Sequence, residues 1–400
     1  VYFTTLSAIL MLCYAVSYNF IKAANFVLRP IEKRINKKYY DEAVTILNSM
    51  PDLKVIGITG SYGKTSTKHY LYRILSEEFD VIMTPGNFNT TLGVIRTIRE
   101  NIKPYNQIFI AEMGAKQPND IKEICDLVHP EIGIITAVGP QHLESFGTIK
   151  NVQSTKFELA DALPSDGLAV VNNDFDYIAN RKVDNVKCSR YSVEGANESD
   201  YRATDIEYTP QGTSFTISDN NGEIIRLFTK LVGRCNVSNL VAAAIVALHL
   251  GMDKEKIRYA ISKIDQVEHR LQIRRTQSGI TIIDDAYNSN PVGSAMALEV
   301  LADMKGGKRF IITPGMIELG DDQFTLNKAF GEKIAKSADV AIIVGEYNKE
   351  AISQGLKEAR AAEINVIYAP TFAEAQKTML SIAKSGDTVL YENDLPDTFK

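Results

Sequence analysis

Apolar, largely β-branched runs separated by amphipathic stretches recur along most of the chain. Val55, Ile56 and Ile58 form the first such run; a turn with Gly57, Gly60 and Gly63 follows, and then a stretch with His69, Tyr70, Leu71, Ile74 and Leu75 at helical spacing. The same alternation predicts strands at 81–84, 108–113, 132–136 and 168–172, with helices over 119–128 and 154–162 between them. Buried strands joined by helices imply a mainly parallel sheet covered on both faces. From 201 to 231 the period shortens to two, with turns at Pro210-Gln211-Gly212 and Asn220-Asn221-Gly222, which predicts antiparallel hairpins added to that sheet. A long alanine-rich helix is expected over 236–250. Beyond a boundary near His269 to Leu271, strands at 280–283, 309–313, 340–344, 365–368 and 388–391 alternate with helices. The fold class is therefore α/β, a central nucleotide-loop domain followed by a smaller Rossmann-like domain.

The first stretch breaks this pattern. No charged residue occurs from Val1 to Ile21, where Leu6, Ile9, Leu10, Met11, Leu12, Val16, Phe20 and Ile21 dominate, and Lys22, Arg29, Lys33, Arg34, Lys37 and Lys38 follow. About 20 apolar residues cross a bilayer core, and basic residues tend to stay inside. The expectation is a membrane segment with everything after Lys22 at the cytoplasmic face of the cell membrane, although Thr4, Thr5, Ser7, Ser17 and Asn19 also suit a soluble apolar helix. Further spans could precede Val1. The domains expected are 1–36 as membrane segment and basic connector, 37–269 as the central domain and 270–400 as the C-terminal domain.

Composition adds modest constraints. Four hundred residues with 45% hydrophobic and 23% charged content suffice for two or three cored domains. A net charge of −5 disfavours a nucleic-acid partner. Cys13, Cys125, Cys188 and Cys235 stand too far apart for a zinc ribbon or a disulfide framework.

The chemistry concentrates at VIGITGSYGKTSTK, residues 55–68. A buried strand, a glycine turn and a helix start form a triphosphate cradle. Gly60, Ser61 and Gly63 let backbone N–H groups approach the anion, Lys64 reaches the β- and γ-phosphates, and Thr65 with Ser66 opens the helix, the Thr65 hydroxyl able to ligate Mg²⁺. The position of the strict motif's first glycine holds Ile58. Glu112 ends a strand in IAEMGA, where open α/β sheets bind their ligands, and suits a Mg²⁺ partner for Thr65. His142 in GPQHLESFGT follows another strand end. Lys156, Asn236 and Asn239 read by themselves as helix-surface and cap residues. Arg270 and Asp284-Asp285 lie at the domain junction, as a cleft that closes on its ligand would need.

As a set these motifs resemble the Mur ligases of peptidoglycan precursor synthesis, and the MurF type among them. TGSYGKTS, GNFNTTLGV, AEMGA, HLESFG, TKFEL, GRCNVSNLVAAA, HRL, DDAYNSNP and PGMIELG occur in the family's order from about Lys54 to Leu390. The resemblance implies an ATP-dependent amide-forming ligase of the acid–amino-acid type. Lys64 and Thr65 would hold the triphosphate and a first Mg²⁺ with Glu112, and His142 would ligate a second Mg²⁺. Lys156 matches the lysine that the family carbamylates, Asn239 would contact adenine, Arg270 the γ-phosphate and Asp285 the ribose, with Asn288 and Asn290 beside the nucleotide. Asn87, Thr90 and Thr91 would face the acceptor. The partners implied are a muropeptide-type acceptor, an amino acid or dipeptide such as D-Ala-D-Ala as the amine, the membrane, and other cell-wall enzymes.

Three departures from the family stand out. The N-terminal domain that holds the uridine nucleotide in typical members is replaced by the apolar segment and basic connector, which opens the alternative of a lipid-linked or other non-UDP acceptor. The basic C-terminal segment is replaced by LYENDLPDTFK, whose Glu392, Asp394 and Asp397 would repel an anionic group. Cys235 stands where histidine is usual. A catalytically silent nucleotide-binding scaffold is the alternative of a different class, and the retained Lys64, Glu112, His142, Lys156 and Arg270 argue against it.

Overall fold

The computed structural model describes residues 2–140, 143–195, 197–209, 212–265, 271–286, 290–304, 306–359 and 364–393. It opens with a single long helix, α1 (Tyr2–Asn48), that runs through Pro30 without a break in its assignment. Only the last turns of α1 join the body. Ala43 is fully buried, and Tyr39, Tyr40, Val44, Ile46 and Leu47 pack with it against Val94, Ile95, Ile98, Ile121 and Ile124. Arg99 locks this dock, stacking 3.8 Å from the Tyr39 ring centroid and donating to Glu42 at 2.7 Å. Further out, Met11, Tyr14, Phe26, Val27, Leu28 and Ile31 are exposed. The bilayer crossing expected over 1–21 is not upheld, since among the described residues no helix is long and apolar enough to cross a membrane. The hydroxyl and amide side chains at Thr5, Ser7, Ser17 and Asn19 dilute the run. The expected connector after Lys22 is likewise continuous helix.

The first sheet is built from β1 (Lys54–Thr59), β2 (Val81–Met83), β3 (Ile108–Glu112), β4 (Ile132–Ile135), β5 (Leu168–Asn172), β6 (Lys187–Ser192), β7 (Tyr201–Thr209), β8 (Gly212–Asp219) and β9 (Gly222–Thr229). Its order is β2-β3-β1-β4-β5-β6-β7-β8-β9, parallel through β7 and antiparallel across β7, β8 and β9. Helices α2 (Lys64–Leu75), α3 (Thr91–Asn101), α4 (Asp120–Val128), α5 (Leu143–Phe146), α6 (Ile149–Asp161), α7 (Asp176–Ala179), α8 (Arg234–His249) and α9 (Lys254–Ser262) connect or cover the strands. The chain leaves β1 toward β2 on one side and crosses to β4 on the other, so the switch in direction falls at the C-terminal end of β1. Open α/β sheets bind ligands at such a point.

Local chemistry explains where expectation and structure differ. Helix α6 begins at Ile149, ahead of the expected 154, because the Thr148 side chain accepts from Asn151 N at 3.2 Å and caps it. Strand β6 reads KCSRYS, too polar to announce itself as a buried parallel strand. The alanines of α8 are what let it lie against the sheet and α2. From Leu240 to Ala247 no residue is more than 2% exposed, a burial that larger side chains would prevent.

The second sheet holds β10 (Gln272–Arg275), β11 (Thr281–Asp285), β12 (Arg309–Thr313), β13 (Val340–Val344), β14 (Asn365–Ala369) and β15 (Thr388–Glu392), in the order β10-β11-β15-β12-β13-β14. All its pairings are parallel except β10 with β11, an antiparallel polar edge strand that an apolar pattern cannot signal. Helices α10 (Pro291–Asp303), α11 (Gln323–Ser337), α12 (Lys349–Glu358) and α13 (Phe372–Ile382) cover it. Its core gathers Ile283, Leu298, Leu301, Ile311, Ile343 and Leu390, each burial contributing about 1.5–3 kcal/mol. The expected boundary at His269 to Leu271 lies outside the described residues except for Leu271.

Candidate active site

The turn from β1 to α2 has the shape that the glycines predicted. Gly60 has φ 149°, and a Cβ there would lie 2.1 Å from Thr136 Oγ1; Gly63 has φ 82°, and a Cβ there would lie 2.6 Å from Asn239 Oδ1. Neither position accepts a side chain. Gly63 caps α2 without a side-chain bond, and Lys64, Thr65 and Ser66 of its first turn line the cleft. The loop is clamped from β4: Thr136 Oγ1 donates to Thr59 O at 3.2 Å and contacts Tyr62 O, while Ser61 Oγ lies 3.1 Å from Gly139 O. Lys64 Nζ folds onto its own loop, donating to the Gly60 carbonyl at 2.7 Å and the Ser61 carbonyl at 3.3 Å.

Glu112, at the end of β3, stands across from Thr65. Its Oε1 accepts from Thr65 Oγ1 at 3.1 Å and from Asn89 Nδ2 at 3.2 Å. Its Oε2 lies 2.9 Å from Lys68 Nζ, and both of these side chains are buried, at 0% and 1% exposure. Lys68 also donates to Gly86 O at 2.6 Å. Burial pushes the Glu112 carboxyl up, yet the cations of Lys68 and Lys64 with the bonds from Lys68 and Asn89 outweigh it and hold the group below its ordinary value. It is therefore ionised at neutral pH.

Lys156, on α6, is 2% exposed. Burial, then the Lys64 charge, pull its ammonium down to about 7, against the opposing pull of Asp120 and Glu158. A large fraction is neutral amine at pH 7, and the surface reading of this lysine does not hold.

These groups share one cleft of about 1480 Å³, whose lining includes Lys64, Thr65, Glu112 and Lys156. Asn87, Thr90 and Thr91 line it as the resemblance implied, but the threonines also carry the local structure. Thr90 Oγ1 caps α3 by accepting from Gly93 N at 3.2 Å, and Thr91 Oγ1 donates to Glu123 Oε2 at 2.9 Å. A smaller cavity of about 100 Å³ adjoins it, lined by Gly63, Ser66, Asn239, Asp285 and Asn290. Asp285 Oδ1 accepts from Leu271 N at 3.0 Å, and Asn290 Oδ1 caps α10 by accepting from Gly293 N at 2.8 Å. Tyr62 and Phe175, with ring centroids 5.7 Å apart, form its aromatic wall. His142, Arg270 and Asn288 lie outside the described residues, as do Asp394 and Asp397.

Glu392, which the C-terminal sequence marked as a group that would repel an anion, lines the small cavity with Asp285. It is fully buried and accepts from Ser294 Oγ at 2.7 Å. Four residues that the sequence reading missed belong to the site: Lys68, Asn89, Tyr62 and Phe175. Lys68 follows Lys64 by one helical turn, so helical spacing alone could have drawn attention to it. Nothing comparable marks Phe175.

Among the described residues no group of three or more His, Cys, Asp or Glu could hold a metal ion. The hydroxyl and carboxylate of Thr65 and Glu112, 3.1 Å apart in oxygen-rich surroundings, are nevertheless the donor types that Mg²⁺ takes when nucleotide phosphates and water complete its shell.

Comparison with known proteins agrees with this geometry. The chain matches the Mur ligase middle domain over residues 58–247 and the Mur ligase, glutamate ligase domain over residues 269–391. It is 32% identical over 339 residues to the UDP-N-acetylmuramoyl-tripeptide–D-alanyl-D-alanine ligase of Escherichia coli, covering 83% of this chain and 74% of that one. With the Bacillus subtilis enzyme of the same name it shares 30% over 284 residues, covering 70% of this chain and 60% of the other, so it spans well under the full length of some relatives. The MurF ligase of Thermotoga maritima in complex with ADP superposes with a TM-score of 0.79 at 26% identity, covering 90% of this chain and 80% of that one. With both domain models in order along one sequence and the E. coli relative aligned across most of it, the chain belongs to the Mur ligase family, and within it to the MurF type.

Proposed function

We propose that the chain is an ATP-dependent ligase of peptidoglycan precursor synthesis that joins D-Ala-D-Ala, or a closely related amine, to the carboxylate of a muropeptide. The observation that carries this reading is the meeting of the phosphate loop, the Thr65–Glu112 pair and the buried Lys156 in one cleft. The substrate carboxylate attacks the γ-phosphorus of ATP and the bond to ADP breaks, leaving an acyl phosphate. The amine nitrogen then attacks the acyl carbon, phosphate leaves, and the nitrogen loses a proton. Lys64 and the open N–H groups of α2 hold the phosphates in place and counter their charge. Thr65 and Glu112 are the residues to hold a Mg²⁺, which when bound neutralises phosphate charge. His142 and Arg270 keep the second-metal and γ-phosphate roles that the resemblance implies. The small cavity between Tyr62, Asn239 and Asp285, beside Gly63 of the loop, is the place this reading assigns to the adenosine.

Lys156 serves this reading as a carbamate. Its neutral amine attacks CO₂, a nitrogen–carbon bond forms as one carbon–oxygen π bond opens onto oxygen, and one proton is released, so a neutral amine becomes an anion near the Lys64 charge that opposes its ammonium form. Steady-state ADP release with Mg²⁺-ATP tests the function. It should require both UDP-N-acetylmuramoyl-tripeptide and D-Ala-D-Ala, and release that ignores both would remove the ligase reading.

A lipid-linked acceptor is the second reading, favoured by α1, which forms part of the cleft wall and carries Phe26, Val27, Leu28 and Ile31 exposed beside Arg29, Lys33 and Arg34. Such a surface suits contact with an anionic bilayer at the cytoplasmic face. Co-sedimentation with phosphatidylglycerol vesicles, lost in the L28E/I31E variant, is the expected result.

A further inference from the structure

One wall of the large cleft is made by α1. Asn36, Lys37, Tyr40 and Asp41 line the same space as Lys64, Thr65 and Glu112. Positions 36, 37, 40 and 41 recur one turn apart, so they make one face of the helix. That face is held in place from behind, where Ala43 and its apolar neighbours are buried and Arg99 grips Tyr39 and Glu42. The cleft-facing side chains are therefore presented by a fixed element.

On the cleft this face carries Lys37 and Asp41, and Lys33, one turn before Lys37, is exposed outside the cleft lining. Lys38, on the adjoining side, pairs with Glu42 at 3.8 Å. No ion pair engages Lys37, or Lys33 one turn before it, among the described residues. Four residues of helix advance about 6 Å, so the two ammonium groups can bracket a diphosphate, which a single point charge would hold less firmly. An exposed lysine pair on a helix is ordinarily only solvated. Here Lys37 also borders a reaction cleft, which a solvating role does not require.

We propose that the Lys33–Lys37 face of α1 is the recognition site for the diphosphate of the acceptor, holding the muropeptide so that its peptide carboxylate reaches the phosphate loop. The inference rests on the ligase reading for the identity of the acceptor but not for its test. A diphosphate could belong to a nucleotide or to a polyprenyl carrier, and both present the same two phosphoryl groups to these lysines.

Equilibrium binding to the full chain without ATP measures the site directly, with no turnover required. The probes are UDP-N-acetylmuramoyl-tripeptide, the polyprenyl-diphosphate-linked muramoyl-tripeptide in detergent micelles, and muramoyl-tripeptide lacking any diphosphate. Wild-type chain should bind at least one diphosphate probe tenfold or more tighter than the diphosphate-free one, and the one that binds tighter identifies the source. K33A/K37A should remove that advantage and flatten its salt dependence. K38A, which removes one positive charge off the cleft where K33A/K37A removes two, should stay within twofold of wild type. The proposal is overturned if K33A/K37A keeps the diphosphate advantage, if K38A weakens binding equally, or if wild type binds all three probes alike or none. Loss of ATP turnover with intact diphosphate binding would instead remove the ligase reading and leave this site standing.

Discussion

Replacing Lys68 with methionine would leave the Glu112 carboxylate buried without the cation that holds it. The pair is 2.9 Å apart and both side chains are out of contact with water. At an effective dielectric constant near 20 the attraction at that distance is about 6 kcal/mol. Removing one partner of such a pair typically costs about 3–5 kcal/mol, because the other charge stays desolvated. Thr65 and Asn89 still bond Glu112 Oε1, which places the expected loss toward the lower end. Urea unfolding followed by circular dichroism should show losses of about 3 kcal/mol for K68M, a similar loss for E112Q, and a double variant less destabilised than their sum by about 2 kcal/mol or more. The pH dependence has a definite sign. Glu112 is held below its ordinary 4.5, so its contribution is complete above that value and drains away as pH falls below it; the gap between wild type and E112Q should narrow in acid. Additive single losses, or losses under about 1 kcal/mol, would refute the claim that the Lys68 cation holds the buried Glu112 carboxylate.

Substitutions at three further positions probe the site. K156A should abolish turnover and recover part of it with short-chain acids, and ¹³CO₂ should label wild type but not the variant; unchanged turnover would remove the carbamate. Because the Lys156 amine falls from 10.5 to about 7 on folding, the uncarbamylated chain should gain stability as pH rises from about 7 toward 10, with the gain absent in K156M. G60A should lose ADP binding by calorimetry, since its Cβ would collide with Thr136 Oγ1 at 2.1 Å in a backbone region closed to side chains. T90A should cost about 1 kcal/mol through its helix cap, and T90S should restore stability; a variant that weakens acceptor binding with stability intact would show that the hydroxyl serves the substrate.

Much of this molecule was legible because its core strands are apolar runs of four to six residues. The strands beginning at Ile108, Ile132, Leu168, Arg309 and Val340 fall where the pattern put them, and the glycine turn at 60–63 stands between strand and helix as expected. What stayed hidden was set by tertiary contact. Strands β6 and β10 are held by neighbours and carry polar residues. Lys156 looked like a surface lysine because helical position says nothing of what packs over it, and only burial reveals its lowered ammonium. Lys68 was hidden by its charge, which implies exposure until Glu112 is found beside it. The first 21 residues were the least legible: their length and the cations after them matched a membrane span, no described helix is long and apolar enough to cross one, and the helix they open docks only by its last turns, at 39–47.

The most direct test of the account is the amide product itself. Incubation with Mg²⁺-ATP, UDP-N-acetylmuramoyl-tripeptide and D-Ala-D-Ala, followed by mass spectrometry, should show one dipeptide added per ADP formed, with neither product in K64A. ADP formed without any amide, or amide formed equally by K64A, would contradict it.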